Sequence, residues 1–248
     1  MDSVQVVDKK CLDMFVQEWL NYGERTQFMG FLFGRYVRKE GVSGVREIAL
    51  VYGLYKPKQR WADGRIVLER DDLLGDADTI ASALDLVCIG MIYTSSPRSE
   101  PINAFDVDFV APLQWQHRQR SDFSSRFVTI VISRNEAKQI EPAAFMLSDQ
   151  CLCMYRDGLF LPPTKPELCR VTKRNKNNEL LSAVIRNDAK LGSQEVTEFE
   201  PLFFLVELTV TIAKSGGETP IFKRTEFPSI NSNGETKDTL LSALSSEE

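Results

Sequence analysis

The side chains able to do chemistry are few. The 248 residues contain one histidine, His117, and five cysteines: Cys11, Cys88, Cys151, Cys153 and Cys169. No Cys-x-x-Cys pair occurs, so the ligand spacing of a structural zinc site is absent. Cys151 and Cys153 stand two apart in a helical pattern and face different sides, which suits packing rather than metal or redox chemistry. His117 has no serine or cysteine at a spacing that suggests a nucleophile with its base. The best position for a site is the end of a strand. Leu86, Val87, Cys88, Ile89, Met91 and Ile92 make an almost unbroken apolar run, which turns polar at Tyr93-Thr94-Ser95-Ser96 and breaks at Pro97 and Pro101. Tyr93 and Ser95, two apart on a strand, share one side. Asn103 and Asp106 follow where the loop opens into a helix, a common place for functional residues.

This stretch resembles the MPN domain family, whose zinc proteases carry the JAMM motif Gly-Trp-x-His-Ser-His-Pro followed by a serine and an aspartate. Gly90-Met91 stands at Gly-Trp, and Tyr93 and Ser95 at the two histidines. Ser96-Pro97 lies where the proline falls, Asn103 replaces the serine and Asp106 keeps the aspartate. The family's upstream Glu-x-x-Gly-x-x-x-Gly is matched by Gln27-Phe28-Met29-Gly30-Phe31-Leu32-Phe33-Gly34, with Gln27 at the glutamate. The resemblance implies a zinc site, and three of its four groups are missing. A catalytic zinc takes three nitrogen or anionic protein ligands plus water, which a neutral phenol and a hydroxyl do not supply. A carboxamide cannot take the proton of an attacking water. The expectation is an MPN domain without catalysis, metal or cofactor, in which Tyr93, Ser95 and Asp106 form a satisfied polar cluster.

The elements that position these residues read as mixed α/β. Cys11, Leu12, Phe15, Val16, Trp19 and Leu20 line one face of a helix over 8–20, capped by Asp8 and ended at Asn21-Tyr22-Gly23. Residues 28–37 and 45–54 read as a hairpin turning at 39–44. A basic loop with Trp61 is expected over 55–64, a strand over 65–70, an acidic turn over 71–78 and a helix over 77–86. The strand at 87–93 follows. A helix begins near Asp106 and is broken or kinked by Pro112. Strands are expected over 127–133 and 139–147, the second at a sheet edge because of Pro142. Ser148 caps a helix over 149–156. Pro162-Pro163-Thr164-Lys165-Pro166 suggests a boundary between an MPN-like domain, 1–162, and a mostly β C-terminal region, 167–248. In the latter, strands are expected over 180–185, 203–212 and 220–224, with one or two helical turns over 238–244.

The chain is 43% hydrophobic and 26% charged, ordinary for a globular protein. Its net charge of −5 argues against a general nucleic-acid binder, and the short basic cluster Lys173-Arg174-Asn175-Lys176 reads as a solvated loop. No signal peptide or membrane span is expected. Free thiols suit a reducing compartment, cytoplasmic or nuclear.

Further stretches narrow the resemblance to one branch, the nuclear protein localization protein 4 family. They are 28–36, Ser124-Ser125-Arg126-Phe127-Val128-Thr129, Leu147-Ser148-Asp149-Gln150-Cys151 with Tyr155-Arg156-Asp157, and Glu200-Pro201-Leu202 leading into the next strand. Phe227-Pro228 and Gly234-Glu235-Thr236 also fit. The resemblance implies a non-catalytic adaptor. Its partners would be polyubiquitin, a ubiquitin-fusion-degradation protein and a valosin-containing-protein type AAA ATPase, which unfolds proteins for the proteasome. The work would extend to the cytosolic face of the endoplasmic reticulum. The family's N-terminal ubiquitin-like and zinc-finger parts, which hold the ATPase, have no counterpart here, so the chain reads as a shortened member, a paralogue or a fragment of a longer protein. Other MPN roles are a structural scaffold subunit and an active JAMM metalloprotease.

Overall fold

In the computed structural model, which describes residues 1–41, 44–98, 100–118, 124–135, 137–172, 177, 184–186, 193–195 and 197–212, the elements follow a mixed α/β order. They are β1 Ser3–Val6, α1 Lys9–Asn21, β2 Met29–Gly41, β3 Gly44–Tyr55, β4 Gln59–Ala62, β5 Arg65–Leu68, α2 Leu74–Ala83 and β6 Val87–Thr94. Then come α3 Ala104–Gln116, β7 Val128–Arg134, β8 Ile140–Leu147, α4 Asp149–Arg156, β9 Cys169–Arg170, β10 Val184–Arg186, β11 Ser193–Glu195, β12 Glu198–Phe199 and β13 Leu205–Ile212. The basic cluster at 173–176 and every expectation beyond 212 lie outside the described residues, as does most of the strand expected over 180–185.

The chain forms two compact units that follow contacts rather than chain order. One comprises Met1–Arg98, Arg126–Ala144 and the described part of Leu208–Glu248; the other comprises Ser99–Ser125 and Phe145–Glu207. The proline-rich stretch 162–166 falls inside the second.

The sheet closes into a barrel ordered β1-β13-β8-β7-β6-β2-β3. The short β1 closes it, pairing in parallel with both β13 and β3. The β2–β3 hairpin is as expected, although its strands run further, to Gly41 and from Gly44. Bulges flank β2 on both sides, in β6 opposite Leu32/Phe33 and in β3, at Tyr52, opposite Phe33/Gly34. Such bulges add twist and help a sheet curve into closure. On the β6 side Ile89 is the extra residue, and the Tyr36 hydroxyl donates to its carbonyl at 3.2 Å. β6 pairs antiparallel with β2 and parallel with β7, and Ile89, Met91, Ile92 and Tyr93 are buried, as the apolar run requires. Helix α1 buries Cys11, Leu12, Phe15 and Trp19, and the Asp8 carboxylate accepts from Lys10 N at 2.9 Å.

Three sequence expectations are corrected in this unit. The basic loop over 55–64 contains β4, which pairs with β5 as a two-residue hairpin through Asp63 and Gly64. Both turn residues have positive φ, 52° and 71°, the conformation that an Asp-Gly turn between twisted strands requires. Helix α2 starts at Leu74, three residues before the expected position, without a side-chain cap. β8 lies between β13 and β7, so Pro142 is not on an edge strand.

In the second unit α3 runs through Pro112 to Gln116, correcting the expected break. A reciprocal capping box starts it: Asn103 Oδ1 accepts from Asp106 N at 3.0 Å, and Asp106 Oδ2 accepts from Asn103 N at 2.7 Å. Burial of Val107, Val110, Ala111 and Gln114 holds the turns beyond the proline. The Gln114 amide donates to Leu147 O at 2.8 Å and accepts from Leu147 N at 2.9 Å. These tertiary bonds outweigh the local loss at Pro112. Helix α4 keeps the expected bounds, with Ser148 as its cap. Phe160, Phe199, Phe203 and Phe204 form an aromatic cluster with ring centroids 5.4 to 5.8 Å apart. Phe204 also ends a short 3-10 turn, so β13 starts at Leu205 rather than at residue 203.

Candidate functional site

The positions singled out by the sequence are engaged in the scaffold. Gln27 lies in the segment between α1 and β2 and is 4% exposed. Its Nε2 donates to Glu24 O at 3.0 Å and to Ser96 Oγ at 3.4 Å. The amide therefore links the loop after α1 to the loop after β6. Its Oε1 is buried without a partner. Phe28 and Thr94 complete the link: Phe28 N donates to Thr94 Oγ1 at 3.1 Å, and Thr94 N donates to Phe28 O at 3.0 Å. Tyr93 is buried, with an Arg98 guanidinium nitrogen 3.4 Å from its hydroxyl. A cation therefore sits beside this buried phenol. Ser95 N donates to Ile132 O at 2.9 Å, which extends the β6–β7 pairing past the strand end. In the other unit, buried Asp106 serves in the α3 capping box. Cys88, upstream in β6, is a half-buried thiol pushed up to about 12 by burial, so it is protonated and unreactive at neutral pH. Burial likewise lowers the pKa of His117, which favours neutral imidazole. Among the described residues no group of three or more His, Cys, Asp or Glu side chains is placed to hold a metal ion.

The Gln27 segment is clamped by a pair that sequence reading missed. Glu24, at φ 61°, receives Arg134 Nε at 2.7 Å and Arg134 Nη2 at 2.5 Å, a bidentate bridge. Arg134 also donates to Lys138 O. The two partners are 110 residues apart, so no local pattern marks them. The Arg134 hydrogen bonds hold the Glu24 carboxyl below the usual carboxylate range. A carboxylate with a depressed folded pKa adds stability that is present above its unfolded pKa and lost as pH falls through the folded one. Arg134→Gln is therefore expected to lower the thermal midpoint most above about pH 5. The gap to the unaltered chain should close on acidification and narrow in high salt. Thermal melts from pH 7 to pH 3 check this, and a gap that stays constant would show that the pair contributes no charge-dependent stability.

Beside Gln27 opens a cleft of about 1170 Å³, lined entirely by the first unit. One wall is the face of α1 carrying Met14, Phe15, Glu18 and Tyr22, and the floor holds Gln27 and Phe28. The opposite wall is the unbroken run 54–61, which includes most of β4, with Asp71 at its base. Both odd and even positions of this run border the cleft, so it meets the edge of the chain as well as its side chains. Lys56 pairs with Glu18 across the cleft, and its ammonium lies 5.3 Å from the Phe28 ring centroid. Asp71 accepts from Tyr55 Oη and Lys58 N, each at 2.8 Å, and from Leu73 N at 3.0 Å. Burial raises the Asp71 carboxyl, but these bonds bring it below the usual range, and it stays ionised. Tyr55 is pushed far up by burial and by that carboxylate. The cleft offers aromatic surface, an open strand edge and charges that are mostly paired. It suits a peptide segment better than a small polar substrate.

Fold and site together define a class: an α/β barrel protein in which Gln27, Tyr93, Ser95 and Asp106 are each hydrogen-bonded within the scaffold. The NPL4 family model matches residues 98–246, more than half of the chain, and the chain belongs to that family. It is 26% identical over 250 residues to "Nuclear protein localization protein 4 homolog" of Drosophila melanogaster, covering 92% of this chain and 38% of that protein. The human homolog of the same name is 26% identical over 267 residues, covering 96% of this chain and 43% of that protein. "Nuclear protein localization protein 4" of Yarrowia lipolytica is 24% identical over 247 residues, covering 89% and 43%. The chain thus spans 38% to 43% of the length of these relatives. No helix of the described residues is long and apolar enough to cross a membrane.

Proposed function

We propose that this chain is a non-catalytic ubiquitin-binding adaptor. It helps deliver polyubiquitylated proteins to a valosin-containing-protein type AAA ATPase, alongside a ubiquitin-fusion-degradation partner, for unfolding and proteasomal degradation. Its place of work is the cytoplasm and nucleus, including the cytosolic face of the endoplasmic reticulum. Family membership supports the pathway. The observation that carries the non-catalytic reading is Gln27: where a JAMM protease needs a base, a buried amide spends both its donors on Glu24 O and Ser96 Oγ. The same position borders the cleft, which is the surface we assign to the ubiquitylated cargo.

The test is capture of purified polyubiquitin chains and of the ATPase by the 248-residue chain, with and without the ubiquitin-fusion-degradation partner. Binding to ubiquitin is expected, and loss of ubiquitin binding in a Tyr22→Glu variant would place it at the cleft. Capture of the ATPase as well would locate a docking surface within these residues. Binding to neither would remove the adaptor reading and leave a structural scaffold. Stoichiometric zinc in the purified protein would overturn the degenerate-site assignment.

A further inference from the structure

β4 of the β4–β5 hairpin forms part of one wall of the cleft, yet among the described residues the hairpin pairs with no other strand, and all eight of its strand residues are exposed or half-exposed. What ties it to the barrel is a side chain. β2 begins at Met29, where β6 covers one edge through the Met29–Tyr93 pair, while β3 joins the other edge only from Phe31. The open edge at Met29 is taken by the Gln59 carboxamide. Gln59 Oε1 accepts from Met29 N at 2.7 Å, and Nε2 donates to Met29 O at 2.8 Å and to Pro57 O at 2.9 Å. The amide reproduces both bonds that a neighbouring strand residue would make. Met29 is two residues from Gln27, so the same anchor holds the wall against the floor of the cleft.

We infer that Gln59 is the positioning residue of this cleft. It sets where the 54–61 wall rests against β2, and so the width offered to a bound segment. A wall held by a backbone ladder would move only with the barrel. Leu54 and Tyr55 are laddered to β2, but beyond them the wall meets β2 through the Gln59 amide, so the β4 part of the wall shifts when that amide is lost while the barrel keeps its own ladders. Asp71 fixes the foot of the hairpin through Lys58 N and Leu73 N, and Gln59 fixes the strand that faces the cleft. The expected effect on cargo rests on the functional reading above; the positioning role does not.

The test combines amide hydrogen exchange with polyubiquitin affinity, on the whole chain, for Gln59→Ala and Gln59→Glu. Loss of the anchor should speed exchange at Met29 and across 59–68 by about tenfold, as expected for one or two lost hydrogen bonds. Amides of β6 and β7 should change less than about twofold, at the level of ordinary scatter. The carboxylate of Gln59→Glu keeps an acceptor for Met29 N but, while ionised, has no donor for Met29 O, so this variant should resemble Gln59→Ala. Affinity for polyubiquitin should fall about tenfold in both. Unchanged exchange in the hairpin would overturn the inference, and so would equal acceleration throughout the barrel. If hairpin exchange accelerates while polyubiquitin binds as before, the positioning role stands and the assignment of cargo to this cleft fails.

Discussion

Gly90→Ala is expected to be among the most damaging single substitutions in this protein. Gly90 sits in β6, opposite Val128 in the parallel pair and opposite Leu32 on the other side. A Cβ at this position would lie 2.2 Å from Val128 O and 2.7 Å from Val128 Cγ2. The nearer atom is backbone and cannot rotate away, so β6 and β7 must part. That opens pairing between two strands whose side chains are mostly buried. The cost should be about 3 kcal/mol or more, at the upper end of overpacking effects, against a typical total of about 5–15 kcal/mol. Urea denaturation measures it. Gly75→Ala is the control: its Cβ would meet nothing within 4 Å and it sits in α2, so helix propensity should make it neutral or slightly stabilising. Equal midpoints for the Gly90 variant and the unaltered chain would mean that the β6–β7 approach is looser than these distances require. Because Tyr93 and Ser95 lie at the end of the same strand, a partly folded Gly90 variant should also lose the Gln27–Ser96 link.

Gln27→Glu, which replaces the buried amide by a carboxylate, is expected to destabilise strongly at neutral pH. The buried Nε2 now donates to a carbonyl and a hydroxyl. An ionised carboxylate in its place would present an acceptor to Glu24 O with no cation as partner. An uncompensated buried charge costs about 3–5 kcal/mol. Protonation relieves much of this, because the acid O–H can donate to Glu24 O, so the folded pKa of the new carboxyl should rise. The sign is then opposite to that of Glu24. Stability of the variant relative to the unaltered chain should be highest below the unfolded pKa and fall as pH rises toward the folded one. Gln27→Met separates charge from hydrogen bonding. It removes both donors and the unpartnered Oε1, and should cost only about 1–2 kcal/mol at any pH. Denaturation midpoints of the two variants from pH 4 to pH 8 check the order. A Gln27→Glu variant as stable as the unaltered chain at pH 7 would show that the site still accommodates a carboxylate, and would reopen the question of a working acid–base position.

Several features are legible in the sequence because they are local. The Asp8 and Ser148 caps, the α1 face through Cys11, Phe15 and Trp19, and the β2–β3 hairpin rest on spacing and on side chain to backbone bonds within a few residues. The apolar run into Tyr93 marks a buried strand in the same way. The stretches that carry the family resemblance, among them Ser124-Ser125-Arg126-Phe127-Val128-Thr129 and Leu147-Ser148-Asp149-Gln150-Cys151, are also written in the chain, and the family model matches across them. The Asp63-Gly64 turn is equally local and equally readable; the basic, Trp-containing composition around it points to a loop instead.

Other features are decided only in three dimensions. The run through Pro112 depends on Gln114 reaching Leu147, and no property of 104–116 alone announces that partner. The interior place of Pro142 depends on ring closure by β1, a four-residue strand with little pattern of its own. The Gln27 amide as a cross-link, the Glu24–Arg134 clamp and the Gln59 anchor on Met29 join residues 30 to 110 positions apart. The amino-acid sequence by itself determined which chemical groups the chain carries: a single histidine, and an amide rather than a carboxylate at Gln27. Only the tertiary structure decided what those groups do, because a polar side chain taken out of water must find partners wherever the fold brings them.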